Sequence, residues 1–113
     1  MMDTDDRQLL LTSAWMFARH GQGPRARILC EALVEDDPRD GLSAAALAEL
    51  LLTDGEAERA LGVLRAADFP PELDRAEALL EARALTALGK KDEATRRWQR
   101  HLAASKGSKR KWI

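Results

Sequence analysis

The chain has 113 residues, about a third of them charged, a formal net charge of −1 and a single cysteine. That length suits one domain, and the lone Cys30 excludes an intrachain disulfide. No apolar run approaches the roughly 20 residues needed to span a bilayer, and the acidic opening MMDTDDRQ is unlike the basic start of a signal peptide, so a soluble intracellular protein is expected.

Leu and Ala abound, Tyr is absent and Val and Ile are scarce, a mixture that favours helices over strands. The apolar stripe Leu10, Ala14, Phe17 predicts a first helix that stops at Gly21. A second, through Ala26, Leu29, Cys30 and Leu33, is expected to open at Pro24 and close at Pro38. The third carries Ala48 and Leu51 and stops at Gly55, and the fourth carries Ala60 and Leu64 and is expected to end at the Pro70-Pro71 pair. The fifth carries Ala82 and Leu85 and stops at Gly89, and the sixth carries Ala94 and Trp98.

These elements repeat. The phrases GQGPRA, GEAERA and GKKDEA begin at Gly21, Gly55 and Gly89, 34 residues apart, and Ala26, Ala60 and Ala94 keep the same spacing. In register, segments 7–40, 41–74 and 75–108 also align Ala14 with Ala48 and Ala82, Phe17 with Leu51 and Leu85, and Cys30 with Leu64 and Trp98. Each segment is therefore expected to be a helix, a tight turn and an antiparallel helix. Glycine leads the turn because it takes the left-handed position after a helix without steric penalty. The expected domain is 1–105. Residues 106–113 are read as a basic, flexible tail: from Arg96 onward there are seven Lys or Arg and no acid, and KGSKRKWI does not read as a capping helix. Trp98 and Leu102 are then expected near an unshielded end.

A 34-residue helix–turn–helix with small residues at these columns resembles the tetratricopeptide repeat (TPR). The resemblance implies an all-α fold of three tandem hairpins forming a short right-handed solenoid. It also implies a concave groove lined by the first helix of each hairpin. Carried onto this sequence, the groove residues are Gln8, Leu11, Thr12, Trp15, Ala18 and Arg19, then Leu42, Ala45, Ala46, Glu49, Leu52 and Thr53, then Ala76, Leu79, Leu80, Arg83, Thr86 and Ala87. Of the adjacent pair Leu79 and Leu80, one is expected to face the groove. The surface is apolar. Leu11, Trp15, Ala46, Ala76 and Leu80 stand where TPR proteins that grip acidic chaperone tails carry a Lys, Arg and Asn clamp, so an amphipathic helix fits better than a carboxylate.

The stretch LLLTSAWMFARHGQGPRARILCEALVEDDP, Leu9 to Pro38, resembles the YscY/PscY family of small TPR chaperones of bacterial type III secretion. Needle-subunit chaperones of the YscG kind share the size and repeat number, and a generic TPR scaffold is the rival reading. The resemblance implies a chaperone in the bacterial cytoplasm, peripheral to the inner-membrane export apparatus. It would hold a YscX-like secreted component in a hetero-oligomer and form a homodimer when the client is lacking.

Chemistry of other kinds is not expected. Cys30 sits in a bulky core column, where a small hydrophobe explains it, and neither His20 nor His101 has a second ligand at metal spacing. Asp36, Asp37 and Asp40 surround a proline turn and read as helix caps. The glycines are isolated hinges rather than a phosphate-binding loop. No catalytic residue, cofactor, metal or nucleic-acid partner is expected.

Overall fold

The structure, a computed structural model, describes the backbone of residues 2–110 and the side chains of residues 2–105. It is all-α. Six α-helices follow one another: α1 Thr4–Arg19, α2 Gly23–Asp36, α3 Gly41–Thr53, α4 Ala57–Ala66, α5 Asp74–Ala87 and α6 Lys91–Arg110. A 3-10 turn, Pro71–Leu73, leads into α5. No described helix is long and apolar enough to cross a membrane.

The starts are chemically marked. Asp3 caps α1 by accepting from the Asp6 N–H at 2.8 Å, and Asp40 caps α3 by accepting from the Leu42 N–H. Pro24 lies in the first turn of α2, where its missing N–H leaves no bond unmade.

The ends of α1, α3 and α5 share one geometry. Gly21, Gly55 and Gly89 have φ of 74°, 79° and 80°, and no other described residue has positive φ. The N–H groups of Gln22, Glu56 and Lys90 donate to the carbonyls of Phe17, Leu51 and Leu85, each at 2.8 Å. The glycine N–H groups donate to Ala18, Leu52 and Thr86. This pair of bonds is the Schellman closure, which satisfies carbonyls that a helix end leaves open. A Cβ on Gly55 would touch nothing within 4 Å, so only backbone strain opposes a side chain there. Gly55→Val is accordingly expected to lower stability by about 1–2 kcal/mol. Glu58→Ala, on the exposed first turn of α4, should stay within about 0.5 kcal/mol. Thermal melts of the two variants test the strain, and equal midpoints would contradict it.

Every helix packs on its neighbour in sequence, and α3 also meets α5. The repeating alanines explain how the backbones come close: Ala14, Ala26, Ala48, Ala60 and Ala94 are all buried, while Ala82 is partly covered. The main core gathers Cys30, Leu47, Leu51, Leu64 and Leu80, with Phe17, Leu29 and Phe69 packed against it. A smaller core joins Leu61 to Ala84, Leu85 and Ala94. Trp98 shares the column of Cys30 and Leu64 but is only half-buried.

Two expectations about boundaries change. The Pro70-Pro71 pair does not end α4, which stops at Ala66 with Ala67 extended. Tertiary bonding takes over there: the Asp68 N–H donates to the Arg39 carbonyl at 2.9 Å, and Asp40 and Asp68 form an isolated parallel bridge. The division drawn at 105/106 falls inside α6, whose backbone continues as helix to Arg110; residues 111–113 of the expected tail lie outside the described residues.

The crossing at Asp68 also explains a glycine outside the repeating phrase. A Cβ on Gly41 would lie 2.7 Å from the Asp68 carbonyl oxygen and 3.0 Å from Phe69 Cδ1. Gly41→Ala is therefore expected to lower stability by about 2 kcal/mol, even though alanine is the better helix former. Gly62→Ala, in α4 with open space around the added methyl, should instead raise stability by up to about 1 kcal/mol. Chemical denaturation of both variants checks the signs.

Candidate functional site

The residues at helical spacing on α1 and α3 that were expected to face a groove do share a cavity. Leu11, Thr12, Trp15 and Ala18 from α1 and Leu42, Ala45, Ala46 and Glu49 from α3 line a space of about 530 Å³. The spacings are three and four on both helices, so one face of each looks into it. Ala14, Cys30 and Leu50 form part of its wall, and Leu73 of the 3-10 turn and Ala76 of α5 close it. No Lys or Arg lines it, and its only charged or hydrogen-bonding side chains are Thr12, Glu49, the Trp15 indole and the Cys30 thiol.

Trp15 and Leu42 make the mouth. They are 57% and 50% exposed, large apolar groups in water, one on α1 and one on α3. Arg19 stacks over the Trp15 ring, 4.8 Å from its centre, which fixes the indole face and puts one cation on the rim. Glu49 is held by Arg83 through a 2.6 Å ion pair between α3 and α5. Thr12 turns its hydroxyl back to the Gln8 carbonyl at 2.9 Å. Glu49 and Thr12 thus have partners within the protein, and most of the remaining lining is hydrocarbon.

Other expected groove residues lie elsewhere. Leu52 and Arg83 border a separate depression with Ala82, Thr86 and Ala87. Leu52 also packs against both cores, so it is partly a core residue. Leu80 is buried in the main core, whereas Leu79 is 45% exposed and lines neither hollow. Sequence reasoning missed Leu73. The Pro70-Pro71 pair that signals a helix stop also opens the 3-10 turn on which Leu73 lies.

Cys30 meets the cavity from below. Burial, and secondarily the charge of Glu31, push its thiol up to about 11, so it stays protonated and unreactive at neutral pH. Among the described residues no group of His, Cys, Asp and Glu could hold a metal.

Two ionic clusters, invisible in the sequence, brace the walls. The Arg7 guanidinium donates to Asp36 at 2.7 Å, Asp40 at 2.8 Å, Ser43 Oγ at 3.1 Å and the Leu33 carbonyl at 3.2 Å. It ties α1, the end of α2 and the start of α3 together. Asp36 and Asp40 were expected only as caps. Asp40 is a cap, and both carboxylates also hold Arg7. Arg27 bridges Glu31, Asp54 and Glu56, linking α2 to the second glycine turn, and Glu31 also receives Arg59 at 2.7 Å. The Glu31 carboxyl lies below its usual range, first because of Arg59 and then Arg27, against the opposing effect of burial.

A larger hollow of about 700 Å³ lies between α4, α5 and α6. Its rim mixes Arg65, Arg96, Arg97 and Arg100 with Glu81 and Glu93, and Arg97 is held by Glu81 at 3.3 Å. Volume favours it, but the chemistry favours the apolar cavity: a mixed-charge rim open to water gains little by being covered. Among known proteins, no family model matches the chain and no curated protein matches it.

Proposed function

We propose that this chain is a TPR-type binding protein that holds an apolar helix of a protein partner in the cavity between α1 and α3, acting as a cytoplasmic type III secretion chaperone of the YscY/PscY kind. The partner is a YscX-like secreted component, kept soluble until export. One observation carries the binding reading: exposed Trp15 and Leu42 face a cavity of about 530 Å³ whose lining is almost all hydrocarbon. Pockets of this volume also suit small molecules, but those pockets add a few fixed polar groups to orient the ligand. Here Glu49 is occupied by Arg83 and Thr12 by its own helix. Apolar knobs at helical spacing need no such groups, only a dry wall to pack against.

The secretion assignment rests on the resemblance of Leu9 to Pro38 and on the repeat register. It is tested by co-expressing the chain with a YscX-like protein and measuring complex mass and partner solubility. A defined complex that keeps the partner soluble supports it. Capture of a needle-type subunit instead would move the assignment to the YscG kind. No complex with either would leave a TPR scaffold for another partner.

A further inference from the structure

Each helix pair covers one side of the next: α2 packs on α3, and α4 on α5. The period of 34 identifies the same side of α1, where Leu9, Ser13 and Met16 stand in the columns of Ser43, Leu47 and Leu50 in α3. Covered by the preceding pair, Ser43 and Leu47 are each 1% exposed. On α1 no described helix lies there, and Leu9 and Met16 are 66% and 48% exposed. The other end is open in the complementary sense. Leu61 of α4 is buried against Ala84 and Leu85 of α5. Its counterpart Thr95 in α6 is exposed, Trp98 is half-buried, and Leu102 is 42% exposed.

We propose that a second copy of this chain docks at this end, head to tail, with α1 of one protomer seated on α6 of its partner as α3 sits on α2 and α5 on α4. The interface is one the fold already makes twice within the chain, with apolar groups waiting on both sides. Charge selects the direction. The start of α1 is acidic, with Asp3, Asp5 and Asp6, whereas α6 from Arg96 onward has only basic charged residues, Lys106, Lys109 and Arg110 among them. Within the chain the end of α2 lies beside the start of α3, because only residues 37–40 join them. The same placement between copies sets the basic end of α6 beside the acidic start of α1. A parallel symmetric pairing, α1 on α1 or α6 on α6, would oppose like charges, and an antiparallel one would close at a dimer, which sedimentation tells apart from head-to-tail growth. This surface is distinct from the cavity of Trp15 and Leu42, so it stands or falls independently of the partner proposed above.

The test is sedimentation of the full chain from micromolar to millimolar concentration, with Met16→Glu and Leu102→Glu as variants and circular dichroism confirming that both are helical. Wild type should associate reversibly without stopping at a dimer, and high salt should weaken association at least several-fold. Each variant alone should be monomeric, and their equimolar mixture should form dimers and nothing larger, because each retains one intact face. Leu42→Glu should associate like wild type. A wild type that stays monomeric overturns the proposal and leaves these faces to another protein. Variants that still associate, or a mixture that stays monomeric, overturn it equally.

Discussion

Leu42→Glu is expected to weaken partner binding roughly a hundredfold while leaving the helices folded. Leu42 is half-exposed in the free chain, so folding loses little when it changes. In the complex, the leucine contact is lost and a carboxylate must leave water against a wall that carries no cation. Together these should cost about 3 kcal/mol, which is roughly two orders of magnitude in affinity. Ile28→Glu is the matched control, since Ile28 is exposed on α2 and lines no part of the cavity. Leu52 is a poor choice for this purpose because it packs against both cores. Calorimetric titration of each variant against the proposed YscX-like partner decides the matter. Equal affinity for wild type and Leu42→Glu would remove the cavity as the binding site.

Arg7→Met should have the largest effect on the fold, lowering stability by about 3 kcal/mol and the melting midpoint by roughly 10 °C. Methionine keeps the stem volume but removes every donor, leaving Asp36 and Asp40 close together in a partly covered site. Their side chains are 16% and 31% exposed, so the cost is set at the lower end of that seen for breaking a buried pair. Acid adds a second readout. Burial alone would raise the Asp40 carboxyl, but hydrogen bonds from Ser43 and Arg7 and the Arg7 charge outweigh it, so the net shift is downward. A depressed carboxyl stabilises the fold above its unfolded value, and that contribution is lost as pH falls through its lower folded value. Glu31 acts in the same direction. Wild type should therefore lose more stability on acidification than Arg7→Met, and the two curves should converge at low pH. Parallel curves would show that Arg7 acts only through packing. Glu77 is shifted the other way, raised by burial and then by Glu81, so it favours the fold below the carboxylate range and loses that contribution as pH rises through its folded value. Glu77→Gln should leave neutral-pH stability unchanged or slightly higher.

The order of elements and the turns were legible from the sequence because local chemistry governs them. A glycine with positive φ closes α1, α3 and α5 wherever the residue columns placed it, and the alanines at the crossings are small for a reason that spacing alone exposes. The wall residues Leu11, Trp15, Leu42, Ala45 and Glu49 were also legible, since a helical period names a face without naming its neighbour. Which face meets which neighbour is a tertiary matter. The period could not tell that Leu80 rather than Leu79 enters the core, because adjacent residues on a helix differ by about 100° and the choice depends on the angle at which α5 lies on α3. Nor could it tell that Leu52 is shared between two cores, or that Leu73 reaches the cavity from a 3-10 turn. Arg7 finds Asp36, Asp40 and Ser43 some thirty residues away, and Gly41 is required by a carbonyl at Asp68. The sequence by itself determined the repeat, its hinges and the apolar faces, all set by interactions within a few residues. Only the tertiary structure decided the ion network, the crossing at Gly41 and the closing of the cavity, because each depends on groups that meet through the relative placement of whole helices.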